Sequence, residues 1–96
     1  MSEKSLYFII NLDLATVRTE SDPYELRTEK DFVFVLGLSG SASISIGHGD
    51  FFDLAQGMKI ELEAYTRKEI EVINESQESK ELVMLVGTRG KCQISI

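Results

Sequence analysis

Apolar side chains recur at every second position through most of this chain, and that spacing points to β-strands as its regular element. Leu6, Phe8, Ile10, Leu12 and Leu14 alternate with Ser5, Tyr7, Ile9, Asn11 and Asp13. Ala42, Ile44 and Ile46 alternate with serines, Met58, Ile60 and Leu62 with Lys59, Glu61 and Glu63, and Ile70 and Val72 with Glu69, Glu71 and Ile73. Cys92, Ile94 and Ile96 repeat the pattern at the end. Each run has one face for a core and one for water, as antiparallel sheets require. Turn formers separate the runs: Ser21-Asp22-Pro23, Gly37 to Gly40, Gly47-His48-Gly49-Asp50, Ala55-Gln56-Gly57 and the polar stretch Asn74 to Lys80. Glu61 to Lys68 is the most helix-like stretch and has room for one helical turn at most. The spacing therefore predicts an all-β, antiparallel sandwich or barrel of eight or nine short strands, with residues 1–96 as one domain.

Two strands depart from the one-face rule. Phe32-Val33-Phe34-Val35-Leu36 and Leu82-Val83-Met84-Leu85-Val86 are apolar in both phases, and Tyr7 and Ile9 add apolar groups to the outer phase of the first strand. In a two-layer sandwich only one face of each sheet meets the core. The second faces, expected to carry Tyr7, Ile9, Val33, Val35, Val83 and Leu85, therefore need another cover, for which a second subunit is the simplest candidate. A homo-oligomer is the expectation, against a cover supplied by the chain's own loops.

Charge narrows the partners. Sixteen acidic residues face ten basic ones, giving −6, and the excess is even: residues 1–48 carry 7 acids and 4 bases, residues 49–96 carry 9 and 6. Nucleic-acid binding needs clustered Lys and Arg to displace phosphate counterions, and no such cluster occurs. The longest apolar stretch, Phe32 to Leu38, falls far short of the roughly 20 residues that span a bilayer. Glu3, Lys4, Asn11 and Asp13 around the first apolar run do not resemble a signal peptide, so cytoplasm, or a particle assembled there, is the expected location.

The inventory is poor in catalytic groups. The single His48 stands between two glycines and reads as an exposed turn residue; the single Cys92 falls in phase with Ile94 and Ile96 and reads as a buried thiol. No disulfide, cofactor or metal is expected. Ser41, Ser43 and Ser45 are a strand's polar face rather than a nucleophile with a base, and the paired glycines of Gly37–Gly40 and Gly87–Gly90 lack a phosphate loop's Gly-Lys-Ser/Thr ending. If Met58–Glu63 and Glu69–Asn74 formed a hairpin, Glu61 would oppose Glu71 and Glu63 would oppose Glu69. Like charges directly opposite cost a few tenths of a kcal/mol or more. Relief would come from solvent, from Lys59 and Arg67, from Ca²⁺, or from a basic partner surface that also meets Tyr65.

From Phe32 to Gly87 the chain reads as an apolar strand, a Gly-rich turn, Ile-x-Ile-Gly-x-Gly, Phe-x-Leu-x-x-Gly-Met-x-Ile-x-Leu, Ile-x-Val-x-Asn and Leu-x-Met-Leu-Val-Gly. This grammar is similar to a minimal cupin or jelly-roll core. Cupin chemistry uses histidines and a Glu inside the barrel, where this chain has Ile44, Ile46, Ile70 and Val72, so the resemblance implies a filled barrel. The segments Tyr24-Glu25-Leu26-Arg27-Thr28, Asp31 to Leu36 and the Gly-Met-x-Ile-x-Leu run resemble short β-sandwich proteins among the virion genes of bacteriophages. That resemblance implies a capsid-associated or cement-like part, often trimeric, that works by surface complementarity. The competing expectations are a cupin-like ligand-binding protein or enzyme, and an acidic protein that binds a basic host partner.

Overall fold

A computed structural model describes residues 7–63 and 66–88. Eight strands follow one another without a helix among the described residues: β1 (Tyr7–Asp13), β2 (Tyr24–Thr28), β3 (Phe32–Leu38), β4 (Ser43–Ile46), β5 (Phe52–Asp53), β6 (Lys59–Glu61), β7 (Lys68–Ile73) and β8 (Glu81–Gly87). They form two four-stranded antiparallel sheets, ordered β1-β8-β3-β6 and β2-β7-β4-β5. The all-β class and the two-sheet sandwich follow from the alternation in the sequence. Among the described residues no helix is long and apolar enough to cross a membrane.

The pairings β1–β8, β2–β7, β3–β6 and β4–β5 are nested. The chain runs out and returns beside itself as one long ribbon, reversing between β4 and β5. Pairs β3–β8 and β4–β7 then fold the ribbon across itself and close the two sheets. The two strands apolar on both faces, β3 and β8, occupy the centre of one sheet, and the half-apolar β4 and β7 occupy the centre of the other. The short strands β5 and β6 lie at edges, where their length leaves little backbone open to unwanted pairing.

The core between the sheets is aliphatic. Leu12, Leu14, Val33, Val35, Leu82, Met84 and Val86 face Ile44, Ile70 and Val72, all nearly or fully buried. At about 25 cal/mol per Å² of apolar surface removed from water, this burial is the dominant stabilising term. Val33 and Val35 therefore belong to the inner face, contrary to their expected outer placement. The outer positions of β3 are Phe32 and Phe34, which pack with Leu85 into a second cluster. In a strand apolar on both faces, alternation fixes the period but leaves the phase open. A register shift between Val35 and Gly37 against β8 adds to the ambiguity, because Leu36 drops out of the ladder and is left exposed.

The Glu61–Glu71 hairpin does not form. β6 pairs with β3, placing Glu61 opposite Phe32, and β7 lies in the other sheet between β2 and β4. Two consecutive strands have gone to different layers, so Glu61 and Glu63 are separated from Glu69 and Glu71. Pairing with the apolar β3 lets Ile60 join the core beside Val33, which a hairpin of two acidic strands would not offer.

Candidate functional site

The two outer faces are chemically unlike. On the β1-β8-β3-β6 sheet, residues directly opposite one another share a face, which gives outer rows Tyr7–Gly87–Phe32–Glu61, Ile9–Leu85–Phe34–Lys59 and Asn11–Val83–Gly37. The first two rows are apolar across three strands. Tyr7 and Ile9 stand on β1, the edge strand among the described residues, 50% and 52% exposed. Phe32 lies over Gly87, where a Cβ would meet its ring at 2.8 Å, and Lys59 Nζ stands 5.5 Å from the ring centroid. Of the expected outer-face residues, Tyr7, Ile9, Val83 and Leu85 lie here; Val33 and Val35 do not.

The outer face of the β2-β7-β4-β5 sheet is polar, with rows Glu25–Glu71–Ser45, Arg27–Glu69 and Ile73–Ser43–Asp53. Ile46, Gly47, His48 and Gly49 make a tight reversal: Gly49 N–H donates to Ile46 O at 3.2 Å, and both central residues have φ above +60°. Positive φ at consecutive positions matches the right-handed twist of a hairpin, and glycine adopts it without steric cost. His48 takes the second such position, and its ring is held over β7. Nε2 bonds the Glu69 carboxylate, and Nδ1 lies 3.8 Å from Glu71 Oε2. Arg27 Nε bonds the other Glu69 oxygen at 3.0 Å. The hydrogen bond from His48, aided by the Arg27 charge, holds the Glu69 carboxyl below the usual glutamate range.

The expected reading of His48 as an exposed turn residue holds for its 62% exposure but missed these partners. Ser45, beneath the turn, is buried and donates to Gly49 O at 2.8 Å. Arg67 is exposed; Tyr65 and Cys92 lie outside the described residues. The register of β4 and β2 on β7 brings His48 and Arg27 to Glu69 from different parts of the chain, so no local motif announces them.

The segment between β1 and β2 closes over one side of this face. Arg18 pairs with Asn74 through both backbone hydrogen bonds, at 2.9 and 3.0 Å. Buried Asn74 donates through Nδ2 to the carbonyls of Leu14, Thr16 and Glu75 and accepts from Arg18 Nη1 at 2.8 Å. Beside this clamp lie an open groove of about 630 Å³ along Val17, Thr19, Ser41, Ser43 and Asp53, and a depression of about 460 Å³ between His48, Asp50, Phe51 and Glu71. Glu20 borders both. Burial raises the Tyr24 hydroxyl above its ordinary pKa, and nearby Arg18 opposes that shift.

Ile44, Ile46, Ile70 and Val72 line the interior with aliphatic groups. Among the described residues no group of three or more His, Cys, Asp or Glu side chains is placed to hold a metal ion. The molecule's chemistry is thus one apolar outer face and one acidic, ion-paired outer face, on opposite sides of a filled sandwich. Comparison with protein-family models, with curated proteins and with solved structures gives no match.

Proposed function

We propose that this chain is a non-enzymatic structural module that self-associates at the apolar β1 margin of the β1-β8-β3-β6 sheet, as a capsid-associated virion component would. The observation that carries this reading is the exposure of Tyr7 and Ile9, at the margin of an outer apolar row whose Leu85, Phe32 and Phe34 are already buried within the single chain. Half-exposed Tyr7 and Ile9 at its margin are the kind of surface that association removes from water. A jelly-roll description of the sandwich is supported by the nested pairings and by the sheet orders 1-8-3-6 and 2-7-4-5. The non-enzymatic reading is supported by the aliphatic interior, where a cupin enzyme would carry its ligands. A virion, or the cytoplasm in which it assembles, is the setting that goes with this function.

The test is the mass of the protein in solution, alone and with the face altered. The wild type is expected to sediment as an oligomer at tens of micromolar. Tyr7→Lys with Ile9→Lys is expected to sediment as a folded monomer. A monomeric wild type removes the reading.

A second reading, a basic protein partner, is favoured by the other sheet: Glu20, Glu25, Asp50, Glu69 and Glu71 outnumber Arg27 and His48 across its outer surface. Binding of that kind weakens steeply with salt, whereas apolar self-association does not.

A further inference from the structure

We propose that two copies of this chain pair antiparallel along the free edge of β1, with Ile9 beside its own symmetry mate, to make one continuous eight-stranded sheet. The inference rests on the self-association reading above and specifies its geometry.

Among the described residues β1 pairs only with β8. Leu14 N–H donates to Lys80 O at 2.9 Å, which identifies Leu14 and Lys80 as a hydrogen-bonded pair. Antiparallel ladders alternate, so Leu12, Ile10 and Phe8 bond β8, while the N–H and C=O of Asn11, Ile9 and Tyr7 point to the free edge. Natural proteins guard such an edge with charge, proline, a bulge or a very short strand. The stretch Tyr7 to Leu12 has none of these, and it is an uncharged run of strand-forming residues.

The edge is closed at one point. Arg18 Nη1 donates to Asp13 O at 2.8 Å, occupying the next outward carbonyl. Pairing therefore stops at Asn11, which bounds the register on that side. Under a two-fold axis Ile9 meets Ile9 of the second copy and Tyr7 meets its Asn11, and each outward group from Tyr7 to Asn11 finds a partner. Any shift toward Asp13 would set a strand against the carbonyl that Arg18 holds. The outer apolar rows then run unbroken through both copies, and half-buried Phe8, on the inner face, is covered opposite Ile10 of the mate. Each copy carries −6, and this segment is free of that charge, so the two copies approach where repulsion is weakest.

The experiment separates edge pairing from face stacking. Asn11→Pro removes only an outward N–H, which an edge strand tolerates. Val83→Lys places charge on the outer face one strand in from the edge. The expected result is a dimeric wild type, a folded monomeric Asn11→Pro protein and a dimeric Val83→Lys protein. In a Cys92→Ser background, Ile9→Cys is expected to form a disulfide-linked dimer under mild oxidation, because a hydrogen-bonded antiparallel pair has Cα atoms about 5.5 Å apart. An oligomer disrupted by Val83→Lys and not by Asn11→Pro, or a trimer without a two-fold, overturns edge pairing and leaves self-association standing. A monomeric wild type overturns both. Protection of the Ile9 and Asn11 amides from hydrogen exchange in a diluted monomer would show the edge covered by the chain itself, and would overturn the inference.

Discussion

Phe32 lies across Gly87 on the neighbouring strand, so close that a Cβ at Gly87 would sit 2.8 Å from Phe32 Cζ and 3.1 Å from Tyr7 Cβ. A glycine in a central strand ordinarily weakens it; here the aromatic ring fills the space a side chain would take. Gly87→Ala is expected to cost about 1–3 kcal/mol by overpacking. Urea unfolding measures the loss, and adding Phe32→Leu should restore part of it. An additive double variant would show that the ring does not rest on Gly87.

The inward phase of β3 has its own test. Val35→Thr keeps the shape of the side chain and buries a hydroxyl in the aliphatic core, an expected loss of about 1–3 kcal/mol. Leu36→Thr, at the exposed residue of the register shift, should stay within about 0.5 kcal/mol of wild type. Equal losses would place both residues on the same side of the sheet.

Asn74 ties the segment after β1 to the end of β7. Its Nδ2 serves the carbonyls of Leu14, Thr16 and Glu75, and its Oδ1 accepts from Arg18. Each of those carbonyls keeps a second donor, Gln77 N–H on Leu14, Arg18 Nη1 on Thr16 and Gln77 Nε2 on Glu75, so Asn74→Ala loses the hydrogen bonds themselves, at roughly 0.5–1.5 kcal/mol each, and is expected to destabilise by about 1–3 kcal/mol. Asn74→Asp should be worse, since a carboxylate would face three carbonyl oxygens. Thermal unfolding of the two variants orders them.

Glu69 makes stability depend on acid. Its folded pKa is lowered by the hydrogen bond from His48 and by Arg27, so its contribution is complete above the unfolded value of about 4.3. It is lost as pH falls through the lower folded value. Between pH 5 and pH 3 the wild type should therefore lose more stability than Glu69→Gln, with the two curves converging at the acid end. Parallel curves across that window would show that the carboxylate carries no such linkage.

Strands with one polar face could be read from the sequence with little ambiguity. In β1 and β7, asparagine, aspartate and glutamate mark the outside, and burial follows the alternation. β3 was legible as a strand but not in phase, because valine and phenylalanine are equally at home on either side and the shift at Leu36 breaks the count. The acidic hairpin failed for a different reason. Adjacency in sequence favours pairing β6 with β7, but the ribbon brings β6 to β3 and β7 to β2 and β4, pairings set by the whole core. The His48–Glu69–Arg27 set was hidden for the same reason: its members meet only once that register exists.

Self-association at the β1 margin of the β1-β8-β3-β6 sheet is the central claim, and sedimentation equilibrium at tens of micromolar tests it most directly. The chain mass is 10.8 kDa. A whole multiple of that mass, twofold for pairing along β1, is the predicted result. A single species of 10.8 kDa across the concentration range would contradict it.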